Sequence, residues 1–108
     1  MSFEQGHDDL DVIQPGESIH VRADAVGAKV VVTDRRLVVA TGDRIALDVG
    51  FHGLRRIQFD IERRRPATLV IVPDDPANEP QVLAVPRESY DEITAALAAV
   101  GHRLAEAD

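Results

Sequence analysis

The chain is 108 residues long, carries a net charge of −7, is 44% hydrophobic and contains no cysteine. That length and composition suit one globular domain with one core, and without thiols there is no disulfide, thiolate metal site or cysteine nucleophile. The overall charge repels nucleic acid and anionic lipid, so neither is an expected partner unless a local patch opposes the global sign.

Residues 1–14 read as an acidic leader, with Glu4, Asp8, Asp9 and Asp11 and no basic residue. Its clustered apolar residues, Leu10, Val12 and Ile13, are expected to dock on the body. The leader has neither the basic start nor the apolar stretch of a secretory signal, and no apolar run approaches the ~18 residues of a membrane span. The cytoplasm is therefore the expected compartment.

Pro15-Gly16 reads as a turn that opens the main domain, residues 15–108. Ile19 and Val21 alternate with His20 and Arg22 as a half-buried strand. Residues 24–28 contain Gly27 and read as a loop. Residues 29–33 are a β-branched run, Val30-Val31-Val32-Thr33, suited to a strand. Asp34-Arg35 is a tight turn, residues 36–41 the next strand, and Gly42-Asp43 a hairpin turn. Residues 44–49 alternate, with Ile45, Leu47 and Val49 inward and Ala46 and Asp48 outward.

Gly50-Phe51-His52-Gly53 breaks the alternation and reads as a corner. Residues 54–62 form the clearest strand, with Ile57, Phe59 and Ile61 facing one way and Arg56, Gln58, Asp60 and Glu62 the other. Arg63-Arg64-Arg65-Pro66 reads as a turn, because proline cannot donate to a ladder. Residues 68–72 and 81–85 are the last two strands, separated by a proline-rich acidic loop over 73–80. Seven closely spaced strands with no helix between them predict an antiparallel sandwich or barrel.

The period then becomes helical. Pro86 suits the first helical position, and Glu88 lies in the first turn, where the helix dipole favours an acid. Tyr90, Ile93, Leu97, Val100 and Leu104 make one apolar stripe, opposite Asp91, Glu92 and several alanines. Gly101 weakens the helix by about 1 kcal/mol relative to Ala and marks where it frays. A lone helix with one apolar face must bury that face, so it is expected to plug one end of the β-structure.

The order of these elements carries a family resemblance. Val32-Thr33-Asp34-Arg35-Arg36-Leu37-Val38-Val39 resembles the "TDRRL" hairpin of bacterial pleckstrin-homology and GRAM-type domains. Pro15-Gly16-Glu17 resembles their entry, and Val85-Pro86 followed by Tyr90-Asp91-Glu92-Ile93 resembles their strand-to-helix junction. The resemblance spans roughly residues 15–105. It implies a seven-stranded sandwich or barrel capped by the C-terminal helix, used as a scaffold for protein, peptide or lipid recognition. Phosphoinositide-binding members use a basic loop between the first two strands. Here that loop is Asp24-Ala25-Val26-Gly27-Ala28, which departs from the pattern.

The resemblance also sorts the loops by end. Asp24, Asp43, Asp74, Asp75 and Glu79 would share an acidic rim, and Arg35, Arg36, Arg63, Arg64 and Arg65 a basic pole at the other end. That pole could grip a carboxylate-rich segment or a phosphate, or its arginines could be solvated turn residues paired with Asp34, Asp60 and Glu62.

Val30–Val32 and Leu37–Ala40 are apolar on both faces of their strands, where a small antiparallel sheet needs only one. Two covers would meet that need. One is the leader's Leu10, Val12 and Ile13. The other is a second subunit, which makes Val30, Val32, Val38 and Ala40 a candidate self-association face of a homo-oligomer.

His7, His20, His52 and His102 have no metal-ligand spacing. No serine sits in a nucleophile elbow, no glycine-rich phosphate loop occurs, and Asp74-Asp75 lies in a proline-rich loop without held geometry. Phe59 and Tyr90 suit the core, which leaves no stacking platform for single strands. The expected function is therefore a cytoplasmic, non-catalytic module for protein–protein interaction or self-association, with no cofactor, metal or nucleic acid. The alternative is a binder of an anionic small molecule or lipid headgroup at the arginine pole.

Overall fold

The computed structural model describes residues 13–107. The first described residues form a turn whose geometry follows from its sequence. Pro15 fixes one backbone angle, and Gly16 takes φ +82°, the left-handed value that a type II turn requires at its third position. The Glu17 amide closes the turn on the Gln14 carbonyl at 3.0 Å.

Seven strands follow: β1 (Ile19–Ala25), β2 (Ala28–Thr33), β3 (Arg36–Thr41), β4 (Arg44–Gly50), β5 (Leu54–Glu62), β6 (Arg65–Pro73) and β7 (Gln81–Val85). All pairings are antiparallel, with β1-β2-β3-β4 in one sheet and β5-β6-β7 in the other. The architecture is thus the sandwich. The sheets approach where the Val26 amide, in the β1–β2 turn, donates to the Ala84 carbonyl of β7 at 2.8 Å.

The strands expected from alternation are present, and the differences lie at ends and bulges. β1 continues through Asp24 and Ala25, which pair with Lys29 and Ala28, so the turn is only Val26-Gly27. Pro66 lies within β6 rather than in the preceding turn. It is tolerated because the β5–β6 register shifts between Asp60 and Glu62, and β7 pairs only from Ala67 onward. A second shift, between Val39 and Ala40, reverses the expected facing at the start of β4. Ala46, not Ile45, packs on the core there. Ile61 shares the parity of Ile57 and Phe59 but lies beyond the core at the end of β5, where it is exposed.

The core is the inner faces of both sheets together with the helix. Val30, Val32, Leu37 and Val39 meet Ala67, Leu69 and Ile71 across the sandwich, all fully buried. Val31 and Val38, which pair with each other, face away from this core and are also fully buried within the single chain. Their cover therefore needs no second subunit. Of the leader residues expected there, Ile13 is half-buried, and Leu10 and Val12 lie outside the described residues.

After β7, Pro86 keeps an extended conformation and precedes a 3-10 turn, Arg87–Ser89, so it is not the first helical residue. The helix α1 runs over Tyr90–Ala107 and continues through Gly101. It packs chiefly along β1 and also touches β2, β5 and the 3-10 turn Phe51–Gly53 at the corner between the sheets. Its deepest residues are Ile93, Ala96 and Val100, flanked by half-buried Tyr90, Leu97 and Leu104. Ala96 thus belongs to the buried stripe, because its small side chain lets the helix approach closely. Tyr90 meets Phe59 of β5 edge-to-face at 5.4 Å between ring centroids, a favourable aromatic geometry.

Candidate functional site

The five arginines expected to form a pole have separate environments. Arg36 is committed to a buried network. Its Nε donates to Glu17 Oε2 at 2.9 Å, its Nη2 to Glu17 Oε1 at 3.0 Å, and its Nη1 to Asp48 Oδ2 at 2.6 Å. Glu17 has a fully buried side chain and also accepts from the Thr33 hydroxyl at 2.6 Å and the Gln14 amide at 3.0 Å. These contacts, the Arg36 hydrogen bonds foremost, hold the Glu17 carboxyl at about 2, against an ordinary 4.5. The same pairing raises the Arg36 guanidinium. An arginine held this way braces the entry turn against β3 and is not available to grip a ligand.

Arg35 donates to Gln14 Oε1 at 3.3 Å. Arg63, Arg64 and Arg65 are exposed around the β5–β6 turn, with Arg65 3.9 Å from Glu62. On the acidic side, Asp24 pairs with Lys29 at 3.2 Å and Asp74 with Arg55 at 3.6 Å. Asp24 belongs to β1 rather than to a loop.

The proposed self-association face is likewise absorbed by the fold. Val30 and Val32 point into the core, and Val38 and Ala40, on the opposite face of the sheet, are buried as well. The three valines have no accessible surface, and Ala40 keeps 7% of its own.

The concave feature with convergent polar groups lies elsewhere, between β1 and α1. It is an open groove of about 530 Å³ lined by His20, Val21, Thr33, Ala95, Ala98, Ala99, His102 and Arg103. Two local features build it. First, β1 has a register shift between Ile19, which pairs with Thr33, and Val21, which pairs with Val32. His20 is the extra residue, and a bulge of this kind re-aims a side chain out of the alternating pattern. Second, positions 95, 98, 99, 102 and 103 follow helical spacing and form a stripe beside the buried one. Its three alanines leave room above the helix, and its last two residues carry nitrogen-rich heads.

Those heads converge on the bulge. Arg103 Nη2 lies 2.9 Å from His20 Nε2. Arginine can only donate, so the His20 ring accepts through Nε2. Asp34, on the β2–β3 turn, accepts from the Ser18 amide at 2.9 Å and returns a bond from its own amide to the Ser18 carbonyl. The Ser18 bond foremost, aided by Arg35 and Arg103, holds its carboxyl below the usual range. Asp34 lies in electrostatic reach of Arg103, and no acidic residue is among the described residues that line the groove. The arrangement can receive negative charge over a smooth apolar floor.

Sequence reasoning singled out neither His20 nor Arg103, because the β1 bulge that brings them together has no signature in residue order. The alanine spacing was a readable signal. Among the described residues, no group of three or more His, Asp or Glu side chains is gathered to hold a metal ion. No described helix is long and apolar enough to cross a membrane.

No protein-family model matches the chain, and no curated protein matches it. Among solved structures it is similar to a pleckstrin homology domain from Shewanella amazonensis SB2B, with a TM-score of 0.62 and 14% sequence identity over 94% of this chain and 97% of that one. The likeness shows the fold: two antiparallel sheets and a C-terminal helix in the pleckstrin-homology-like arrangement.

Proposed function

We propose that this domain is a non-catalytic protein-interaction module that takes an acidic peptide segment in the β1–α1 groove. A pleckstrin-homology-like scaffold suits a binding role, although fold alone never fixes one. The observation that carries the reading is the convergence of bulged His20 with His102 and Arg103 above Ala95, Ala98 and Ala99. A carboxylate of the partner would meet the Arg103 guanidinium, which suits it as a planar donor. Small apolar side chains of an extended segment would lie on the alanine floor. The Arg103 guanidinium opposes the −7 of the whole chain, so the interaction is short-ranged and sensitive to salt.

The test is fluorescence anisotropy of a labelled peptide of alternating Glu and Ala, titrated with the full chain. Binding should weaken as salt rises and fall about tenfold in Arg103→Ala, the loss expected for one charge-assisted contact. Undiminished binding by that variant contradicts the proposed site. Capture of anionic vesicles that is lost in an Arg63, Arg64 and Arg65 triple alanine variant, with no peptide binding, would favour a headgroup at the β5–β6 turn instead.

A further inference from the structure

On the outer face of the three-stranded sheet, β6 and β7 present apolar side chains where water should meet them. The β5–β6–β7 register sets three rows on that face. The middle row is Gln58, Val70 and Val82. On one side of it lie Arg56 and Val72, and on the other Asp60, Thr68 and Ala84. Val82 is 68% exposed, and Val70, Val72 and Ala84 are half-buried. Inward-facing neighbours of the same strands, Leu69 and Ile71, are fully buried. β6 and β7 therefore carry apolar residues on both faces, although the core needs only one, while the outward positions of β5 are Arg56, Gln58 and Asp60.

The charges flanking this patch have a definite arrangement. On β5, Arg56 and Asp60 are exposed and stand one outward position to either side of Gln58. Gln58 Nε2 donates to both Asp60 oxygens, each at 3.0 Å, which holds the carboxylate over the sheet. Consider a two-fold axis lying in the face along the Gln58–Val70–Val82 row. It sets Val70 on Val70 and Val82 on Val82 of a second copy, and brings Arg56 of each copy over Asp60 of the other. The pattern is complementary to itself, as an isologous interface requires.

We infer that the outer face of the β5–β6–β7 sheet is a homodimerisation surface, closed by Val70, Val72 and Val82 and aligned by reciprocal Arg56–Asp60 pairs. The occupant is a second copy of this chain, since that symmetry brings each charge over its opposite and each valine of the middle row over its own copy. Three strands about 4.8 Å apart, with five residues each rising about 3.4 Å, give a footprint well below the ~800 Å² per partner of a standard interface. The dimer is therefore weak and depends on concentration. It lies on the sheet away from the β1–α1 groove and stands independently of the peptide-binding reading.

Sedimentation equilibrium of the full chain over a wide concentration range tests it. The wild type should show reversible monomer–dimer behaviour. Val82→Glu should abolish it, with thermal melting unchanged because the side chain is exposed. Arg56→Asp and Asp60→Arg should each weaken the dimer by about tenfold, since every pair occurs twice in an isologous contact. The double variant Arg56→Asp/Asp60→Arg should recover wild-type association. A monomer at every concentration, or association that persists in Val82→Glu, would overturn the inference. So would a double variant as weak as the singles, which would remove the reciprocal charge pairing.

Discussion

Replacing Glu17 by Gln preserves the shape of the side chain and removes its charge. In the native chain both carboxylate oxygens are saturated by the Arg36 guanidinium, the Thr33 hydroxyl and the Gln14 amide. A glutamine amide nitrogen would present a donor to one of these donors and take away one of the carboxylates paired with Arg36, with Asp48 still in place. Breaking a buried ion pair from one side costs roughly 3–5 kcal/mol. The lower end applies, because Asp48 still holds Arg36 at 2.6 Å. A second route gives the same size: a carboxyl lowered from 4.5 to about 2 corresponds to on the order of 3 kcal/mol at about 1.4 kcal/mol per unit.

The sign follows from the depressed folded-state value. The stabilisation is complete above pH 4.5 and is lost as pH falls towards 2. Urea denaturation of wild type and Glu17→Gln, with the slopes compared, measures the difference. It should be about 3 kcal/mol at pH 7 and shrink steadily below pH 4.5. A variant within about 0.5 kcal/mol of wild type at pH 7 would mean that the Glu17–Arg36 pair does not stabilise the fold. So would a difference that ignores pH.

Gly101→Ala should stabilise the domain by about 1 kcal/mol in thermal or chemical denaturation, since the site is helical and an added Cβ meets open space. Gly53→Ala should act oppositely, because its Cβ would fall 2.6 Å from Val49 Cγ2 at the corner between the sheets; a loss of about 1–3 kcal/mol is expected from overpacking. Ile93→Ala, which empties the centre of the helix–sheet contact, should cost about 2–5 kcal/mol by urea denaturation. A double-mutant cycle of Phe59→Leu and Tyr90→Leu should give a coupling of about 0.5–1.5 kcal/mol for their edge-to-face contact.

Strands with local punctuation were legible in residue order. β3 lies between two turn signals, β5 alternates without interruption, and β7 is framed by prolines; their observed bounds match the reading. Features that depend on distant partners were not legible. Glu17 looks like a solvated acid after a Pro-Gly turn, yet it is buried because Thr33 and Arg36, 16 and 19 residues away, converge on it. The Arg35-Arg36 pair looks like one basic patch, but Arg35 stands in the β2–β3 turn and Arg36 opens β3, so the two side chains reach different partners. Bulges escaped for the same reason. Each shifts one strand against its neighbour, so Ala46 replaced Ile45 on the core and His20 turned towards α1. The groove rests on that last shift, and no periodicity within β1 announces it.

The most direct test of the groove is a nitrogen-15 correlation NMR titration of the full chain with the Glu-Ala peptide. The largest shift changes should fall on His20, Val21, Ala95, Ala98, Ala99, His102 and Arg103, while Arg63–Arg65 stay unmoved. Changes centred on the β5–β6 turn, or spread evenly over the surface, would contradict the groove as the binding site.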